Sequence, residues 1–239
     1  MKLSVFIPCC VDQFSPKTAS NLIGLLESLG HEVHYNESQT CCGRLLYDNG
    51  NWDSAKLLGE KFIDEFKGSE YIVSCSTECV GYIKNNFGKR FFNTPNHNSY
   101  KSIRDRVMDI SEFLVSFMRK TDFGVEFSHK VSLHSNCRGL NEYNVEEETK
   151  LLLQNVKGLE LTNNNTNRFC CGLGGTFSIH NEPVSTALAK KKIDAILEEG
   201  AEYVVSNDMS CLLHLQSYID KHKINLKTIH LVDLLMYNK

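Results

Sequence analysis

No stretch of this 239-residue chain approaches the ~18 uninterrupted apolar residues of a membrane-spanning helix, so direct membrane insertion of that kind is excluded. A basic excess is also missing. The formal net charge is −3, whereas nucleic-acid binding usually leaves a basic footprint. The opening "MKLSVFIPCC" has too short an apolar run for a signal peptide, and no small-residue cleavage site follows it. We therefore expect a soluble, cytoplasmic protein with no nucleic-acid partner. Cysteine is too sparse for a disulfide scaffold: ten residues fall well below the ~8–10% such scaffolds carry, and cytosolic chains seldom keep cysteines as disulfides.

What is present is ordinary globular material, 41% hydrophobic and 23% charged, enough for one large domain or two modest ones with a real core. Short apolar runs alternate with helix-period patterns. "LSVFIP" (3–8), "HEVHYN" (31–36) and "EYIVSC" (70–75) read as strands. Residues 17–30 and 52–67 read as amphipathic helices, with a short helix starting near Glu78 and another helical pattern over 110–118. The order then recurs. Strands are expected at 130–135, 159–163 and 202–207, helices at 146–156, 183–200 and 212–220, and a closing strand and helix at 228–236.

The recurrence is visible in the residues themselves. "EYIVSCSTEC" (70–79) matches "EYVVSNDMSC" (202–211) at a constant offset of 132, and "KFIDEF" (61–66) resembles "KKIDAI" (191–196). A repeat of about 130 residues indicates a duplicated domain, since solenoid periods are ~20–50 residues. Strand–helix alternation predicts an α/β fold: two similar Rossmann-like halves with parallel sheets, related by a pseudo-twofold axis. We expect the halves to be 1–122 and 123–239, meeting in the polar stretch "RKTDFGVEFS" (119–128).

Cysteine spacing repeats too. Cys9 is followed by 31 residues, then Cys41-Cys42, then 36 residues, then Cys79; Cys137 is followed by 32 residues, then Cys170-Cys171, then 39 residues, then Cys211. Each falls near a strand end or a helix start, and in doubly wound sheets those loops converge at the carboxyl edge. A vicinal disulfide is disfavoured, because neighbouring Cα atoms are about 3.8 Å apart and ordinary disulfides want about 4.4–6.8 Å. Thiolates that ligate metal use the pair better. One zinc ion wants four tetrahedral ligands, an awkward bite for adjacent cysteines, whereas an iron–sulfur cluster spreads its bonds over several irons. Gly43 and Gly172 let the backbone come close, and a following helix would present its positive end to an anionic group.

"TCCGRLL" (40–46) and "FCCGLGGTFS" (169–178), with Cys9 and Cys137 upstream and Cys79 and Cys211 downstream, resemble the cysteine-rich CCG-domain family, which includes the B subunit of heterodisulfide reductase and the iron–sulfur subunit of glycolate oxidase. Within it the chain is similar to the short stand-alone members of three-part L-lactate oxidation systems. The resemblance implies iron–sulfur clusters, of the 4Fe–4S class, held by Cys9, Cys41, Cys42, Cys79, Cys137, Cys170, Cys171 and Cys211, with zinc as the alternative at one half. It implies an oxidoreductase subunit that transfers electrons and works with partners: a ferredoxin-like iron–sulfur subunit and a third, cluster-free subunit. The family's last motif often carries two cysteines as CxxC. Here Cys75 and Cys79 have three residues between them, and Asn207 stands opposite Cys75. Cys75 joins the metal candidates, and the second half is left with four cysteines. The rival functions are thiol–disulfide reduction of the heterodisulfide-reductase kind, a zinc-stabilised docking scaffold, and a thiol redox sensor.

Other residues remain open at this level. Cys10 has no counterpart and reads as a ligand or a spare thiol. His134 and His214 lie three residues from Cys137 and Cys211 and read as donors to a ligand, proton carriers or satisfied structural histidines. Arg44 and Arg138 offset sulfur charge, hold a carboxylate substrate or lie solvated in a loop. "KKK" (190–192) reads as the wet face of a helix and "NNNTN" (163–167) as a polar loop.

Overall fold

A computed structural model describes residues 1–163 and 169–238. The first half contains β1 (Lys2–Phe6), α1 (Cys9–Phe14), α2 (Pro16–Ser28), β2 (Glu32–Tyr35), α3 (Arg44–Asp48), α4 (Trp52–Phe66), β3 (Tyr71–Ser74), α5 (Thr77–Phe91), α6 (His97–Arg104), β4 (Val107–Asp109) and α7 (Ile110–Glu112), which runs into a π-helical turn over Phe113–Phe117. The second half contains β5 (Lys130–Leu133), α8 (Cys137–Glu142), α9 (Glu146–Gln154), β6 (Glu160–Leu161), α10 (Phe177–His180), α11 (Glu182–Glu198), β7 (Tyr203–Ser206), α12 (Met209–His222), β8 (Lys227–His230) and α13 (Leu231–Leu235).

Each half builds one four-stranded parallel sheet, ordered β2-β1-β3-β4 and β6-β5-β7-β8. The expected duplicated α/β architecture is therefore present, strand for strand. Registers also correspond: Ser4 pairs with Ile72 as Ser132 pairs with Val204. The central strands β1, β3, β5 and β7 are apolar and mostly buried, as parallel strands covered on both faces must be. β2 is polar and largely exposed, which suits an edge. Among the described residues, no helix is long and apolar enough to cross a membrane.

Some expectations need correction. The helix near Glu78 is fifteen residues long rather than short; Ser76 caps it by accepting from the Cys79 N–H at 3.3 Å. The stretch 119–128 is only partly polar. Val125 and Phe127 are buried in the core, and the Phe127 N–H donates to the Lys157 carbonyl, because the alternation of Val125, Glu126 and Phe127 turns two apolar side chains inward. In "KKK", Lys192 is fully buried, since α11 turns that face onto the sheet. Residues 164–167 of "NNNTN" lie outside the described residues.

One apolar cluster runs through both halves, from Leu3 and Leu22 to Val205 and Leu235, and a second fills the outer face of the first half around Phe6, Phe62 and Phe87. Buried polar groups cross between the halves. Asp208, fully buried ahead of α12, accepts from Ser76 Oγ at 2.6 Å, from Thr77 Oγ1 and from the Glu78 N–H at 3.1 Å, so it caps the helix of the opposite half. Asn207 Nδ2 donates to Asp109 Oδ1 at 2.9 Å and to Ser111 Oγ at 2.8 Å. His230 accepts from the Val232 N–H at Nδ1 and reaches the Cys75 and Asn207 carbonyls through Nε2, which fixes its tautomer with the proton on Nε2.

Two predictions follow from these crossings. Asp208→Ala strands the N-terminal donors of α5; it should lower stability by about 3 kcal/mol and Tm by about 6–12 °C in thermal melts, and an unchanged Tm would contradict the capping role. At Asp109 burial pushes the carboxyl up to about 7, against the lowering effect of the Ser111 N–H. Its stabilising contribution is complete below the ordinary value of roughly 4 and is lost as pH rises through about 7. Asp109→Asn should flatten the stability profile across that window, measured by urea unfolding at successive pH values.

Candidate metal centres

The first turns of four helices deliver four of the expected cysteines. Cys9 and Cys137 open α1 and α8; Cys79 and Cys211 sit in the first turns of α5 and α12. The remaining four arrive on the loops after β2 and β6, as the two Cys-Cys-Gly turns. All eight then meet as equivalent pairs. In the first half Cys9 Sγ lies 3.6 Å from Cys41 Sγ and Cys42 Sγ 3.4 Å from Cys79 Sγ. In the second, Cys137 and Cys170 sulfurs are 3.8 Å apart, and those of Cys171 and Cys211 3.1 Å. The adjacency of Cys41 to Cys42, and of Cys170 to Cys171, joins the pairs into two quartets. All ten cysteines are free thiols.

The turn that makes this possible is left-handed. Gly43 and Gly172 have φ of +89° and +97°, a region that disfavours residues with a Cβ, and each N–H points back to the sulfur two residues before it at 3.4 Å. These contacts shape the charge. Hydrogen bonding from Cys42 and Cys9, with the Gly43 N–H, lowers Cys41 to about 3; Cys137 and Cys171, with the Gly172 N–H, lower Cys170 to about 2. Hydrogen bonding to Cys10 and Cys41 raises Cys9, to Cys41 and Cys79 raises Cys42, to Cys170 raises Cys137, and to Cys170 and Cys211 raises Cys171. Each quartet is thus built around one thiolate at an equivalent position, the form that binds metal.

The other candidates divide. Cys10 is partly exposed beside Cys9 and is lowered by its hydrogen bond with Cys9. Cys75 is fully buried at the end of β3, within the cluster shared by both halves, where burial raises its thiol. Arg44 is buried and clamps Glu142 with two bonds of 2.7 and 3.0 Å while its Nε donates to Asp48. Arg138 pairs with Asp48 and, at 3.3 Å, with Glu78. Both guanidinium groups are therefore engaged by carboxylates across the interface, not solvated in loops. His214 Nε2 lies 3.2 Å from Ser185 Oγ.

His134 is not satisfied in this way. It follows β5, is 1% exposed, and neither ring nitrogen has a hydrogen-bond partner among the described residues. A ring nitrogen and the sulfurs of Cys171 and Cys211 lie within 4.8 Å of one another. Burial and Lys192 together pull His134 down to about 3, so its ring is neutral. Lys192 is drawn down to about 8 by burial, against the pull of Cys171 and Cys211. The sequence singles out His134 but makes Lys192 look solvated, although the match of 61–66 with 191–196 sets Lys192 opposite the apolar Phe62.

A cleft of about 260 Å³ opens onto the first quartet. Cys9, Cys10, Cys41, Cys42 and Cys79 form one wall, and Arg138, Leu173, Ile179 and Met209 of the second half form the other.

The family profile described as a cysteine-rich domain, CCG, matches residues 3–84 and 131–216, the segments that carry the two quartets. Full-length relatives include the lactate utilization protein A of Bacillus cereus (strain G9842), 31% identical over 98% of both chains. That of Bacillus subtilis (strain 168) is 32% identical over 98% of this chain and 99% of its own. A solved structure of a hypothetical protein from Helicobacter pylori superimposes with a TM-score of 0.66 at 10% identity, over 98% of this chain and 48% of that one; the chain spans about half of that structure, and the likeness is one of fold.

The two Gly turns give a graded prediction. A Cβ on Gly172 would lie 2.4 Å from the Ser185 carbonyl oxygen, whereas on Gly43 the nearest atom, the Ala55 carbonyl oxygen, is 3.3 Å away. Gly172→Ala should destabilise by roughly 2–4 kcal/mol and Gly43→Ala by roughly 1–2 kcal/mol, read from urea melts of the two variants. The reverse order would contradict the tight second turn.

Proposed function

The chain belongs to the cysteine-rich CCG-domain family, and from that premise we propose that it is an iron–sulfur electron-transfer subunit of an L-lactate-oxidising system. The observation that carries this reading is the assembly of eight thiols into two equivalent quartets, with neighbouring sulfurs 3.1 to 3.8 Å apart. Full-length similarity to proteins named lactate utilization protein A supports the metabolic context.

The donor sets fit the group. Cys9, Cys41, Cys42 and Cys79 hold one centre; Cys137, Cys170, Cys171 and Cys211 belong to the other. Clusters of the 4Fe–4S class supply one-electron redox chemistry when bound. The protein's own part is to gather and charge the ligands. The Gly43 and Gly172 N–H groups stabilise thiolates, helix first turns face the sulfurs with their positive ends, and the carboxylate–guanidinium network holds the halves around the cleft. In this reading the halves are 1–122 and 123–239, the protein is cytoplasmic, and it works beside a ferredoxin-like iron–sulfur subunit and a third, cluster-free subunit.

A second reading, thiol–disulfide reduction, is favoured by the cleft, which exposes the first quartet to a small molecule; intact growth on lactate of a deletion strain that has lost disulfide turnover would select it. The direct test is iron, sulfide and zinc quantification on protein purified without oxygen. Cys42→Ser and Cys171→Ser should each remove metal chiefly from their own half, about half the total. Zinc without iron would select the docking scaffold, and unchanged metal in both variants would contradict the metal reading altogether.

A further inference from the structure

The two halves match in strand order and register, so equivalent positions can be compared behind each quartet. Phe6 corresponds to His134 at the offset that relates Cys9 to Cys137, and Phe62 corresponds to Lys192. In the first half these residues are an aromatic pair, with ring centroids 5.1 Å apart and edge-on. In the second half both have become polar, and both are buried. Replacing a buried aromatic contact by an imidazole and an ammonium is unfavourable unless each finds a partner. Lys192 stands within electrostatic reach of Cys171, Cys211 and Cys170. His134 has no hydrogen-bond partner for either nitrogen among the described residues, yet a ring nitrogen shares a 4.8 Å neighbourhood with the sulfurs of Cys171 and Cys211. An imidazole buried without a partner beside two cysteine sulfurs is arranged as a ligand.

We propose that His134 is a nitrogen ligand of the metal group in the second half, which makes that centre a mixed thiolate–imidazole site while the first is all sulfur. The inference rests on the metal reading above and names a donor that reading does not include. Asn207, which stands where the first half has Cys75, is not available as that donor, because its amide is spent on Asp109 and Ser111. The imidazole adds a donor without adding negative charge, and Lys192 reduces the charge further. A buried centre of lower negative charge is easier to reduce than its all-sulfur counterpart. Imidazole with thiolate suits zinc or an iron–sulfur cluster with one nitrogen ligand, and the experiment separates the two.

The test uses the full chain purified without oxygen. In Cys42→Ser protein, where second-half metal remains, X-ray absorption at the edge of whichever metal is retained, zinc or iron, should show a nitrogen neighbour with the multiple-scattering pattern of imidazole. Adding His134→Phe, the first-half residue at that position, should lower the retained metal about tenfold or more. Adding His134→Cys should keep the metal and convert the shell to sulfur only. In Cys171→Ser protein, which keeps first-half metal, His134→Phe should change nothing. An all-sulfur shell in the Cys42→Ser protein, or unchanged metal after His134→Phe, would overturn the assignment while leaving the two-centre reading intact. Wild-type protein without iron or zinc would instead overturn both. Should His134→Phe fail to fold, the absorption spectrum of the Cys42→Ser protein decides by itself.

Discussion

A buried carboxylate that its own half cannot satisfy organises this molecule. Asp208 precedes α12, where it would ordinarily cap that helix, but its oxygens are taken by Ser76, Thr77 and the Glu78 N–H of the other half. An ion so placed is tolerable only with its partners in position. The two helix starts are thereby locked side by side, and with them Cys79 and Cys211, which lie within those first turns. Asn207 with Asp109, and His230 with the Cys75 carbonyl, repeat the crossing on either side. Separating the halves would expose the shared apolar core, strip Asp208 of its three donors, and break the bonds of Asn207 and His230 to the first half.

From that frame the chemistry of the quartets follows. The left-handed Gly turns aim one N–H at one sulfur in each half, and the hydrogen-bonded neighbours concentrate negative charge on Cys41 and Cys170. The surroundings then break the symmetry. The first quartet backs onto aromatic rings and opens into the interlobe cleft. The second backs onto His134 and Lys192, both removed from water. Duplication supplies equivalent pairs of cysteines; substitutions behind them make the two quartets electrostatically unequal.

Much of this was legible in the residues. The strands at 70–75 and 202–207 and the helices at 17–30, 52–67 and 183–200 were marked by periodicity and by Gly stops, and their places hold to within one or two residues. β4 was missed, because three residues, Val107, Met108 and Asp109, are too few to show alternation. The short helices that begin at Cys9, Arg44 and Cys137 were also missed, since five or six residues carry no periodic signal. Lys192 was misread because a triple lysine looks solvated, and only the packing of α11 reveals which of the three faces inward.

The sequence by itself determined the duplication, the α/β class and the identity of the eight cysteines, because each is written as a local pattern repeated at one spacing. Tertiary structure alone decided which sulfurs pair, that Asp208 serves the opposite half, that Arg44 and Arg138 are spent on carboxylates, and that His134 stands beside Cys171 and Cys211. Those facts depend on long-range packing and on the removal of water from named atoms. Such effects are set by the meeting of segments between 32 and 132 residues apart, and no local pattern records them.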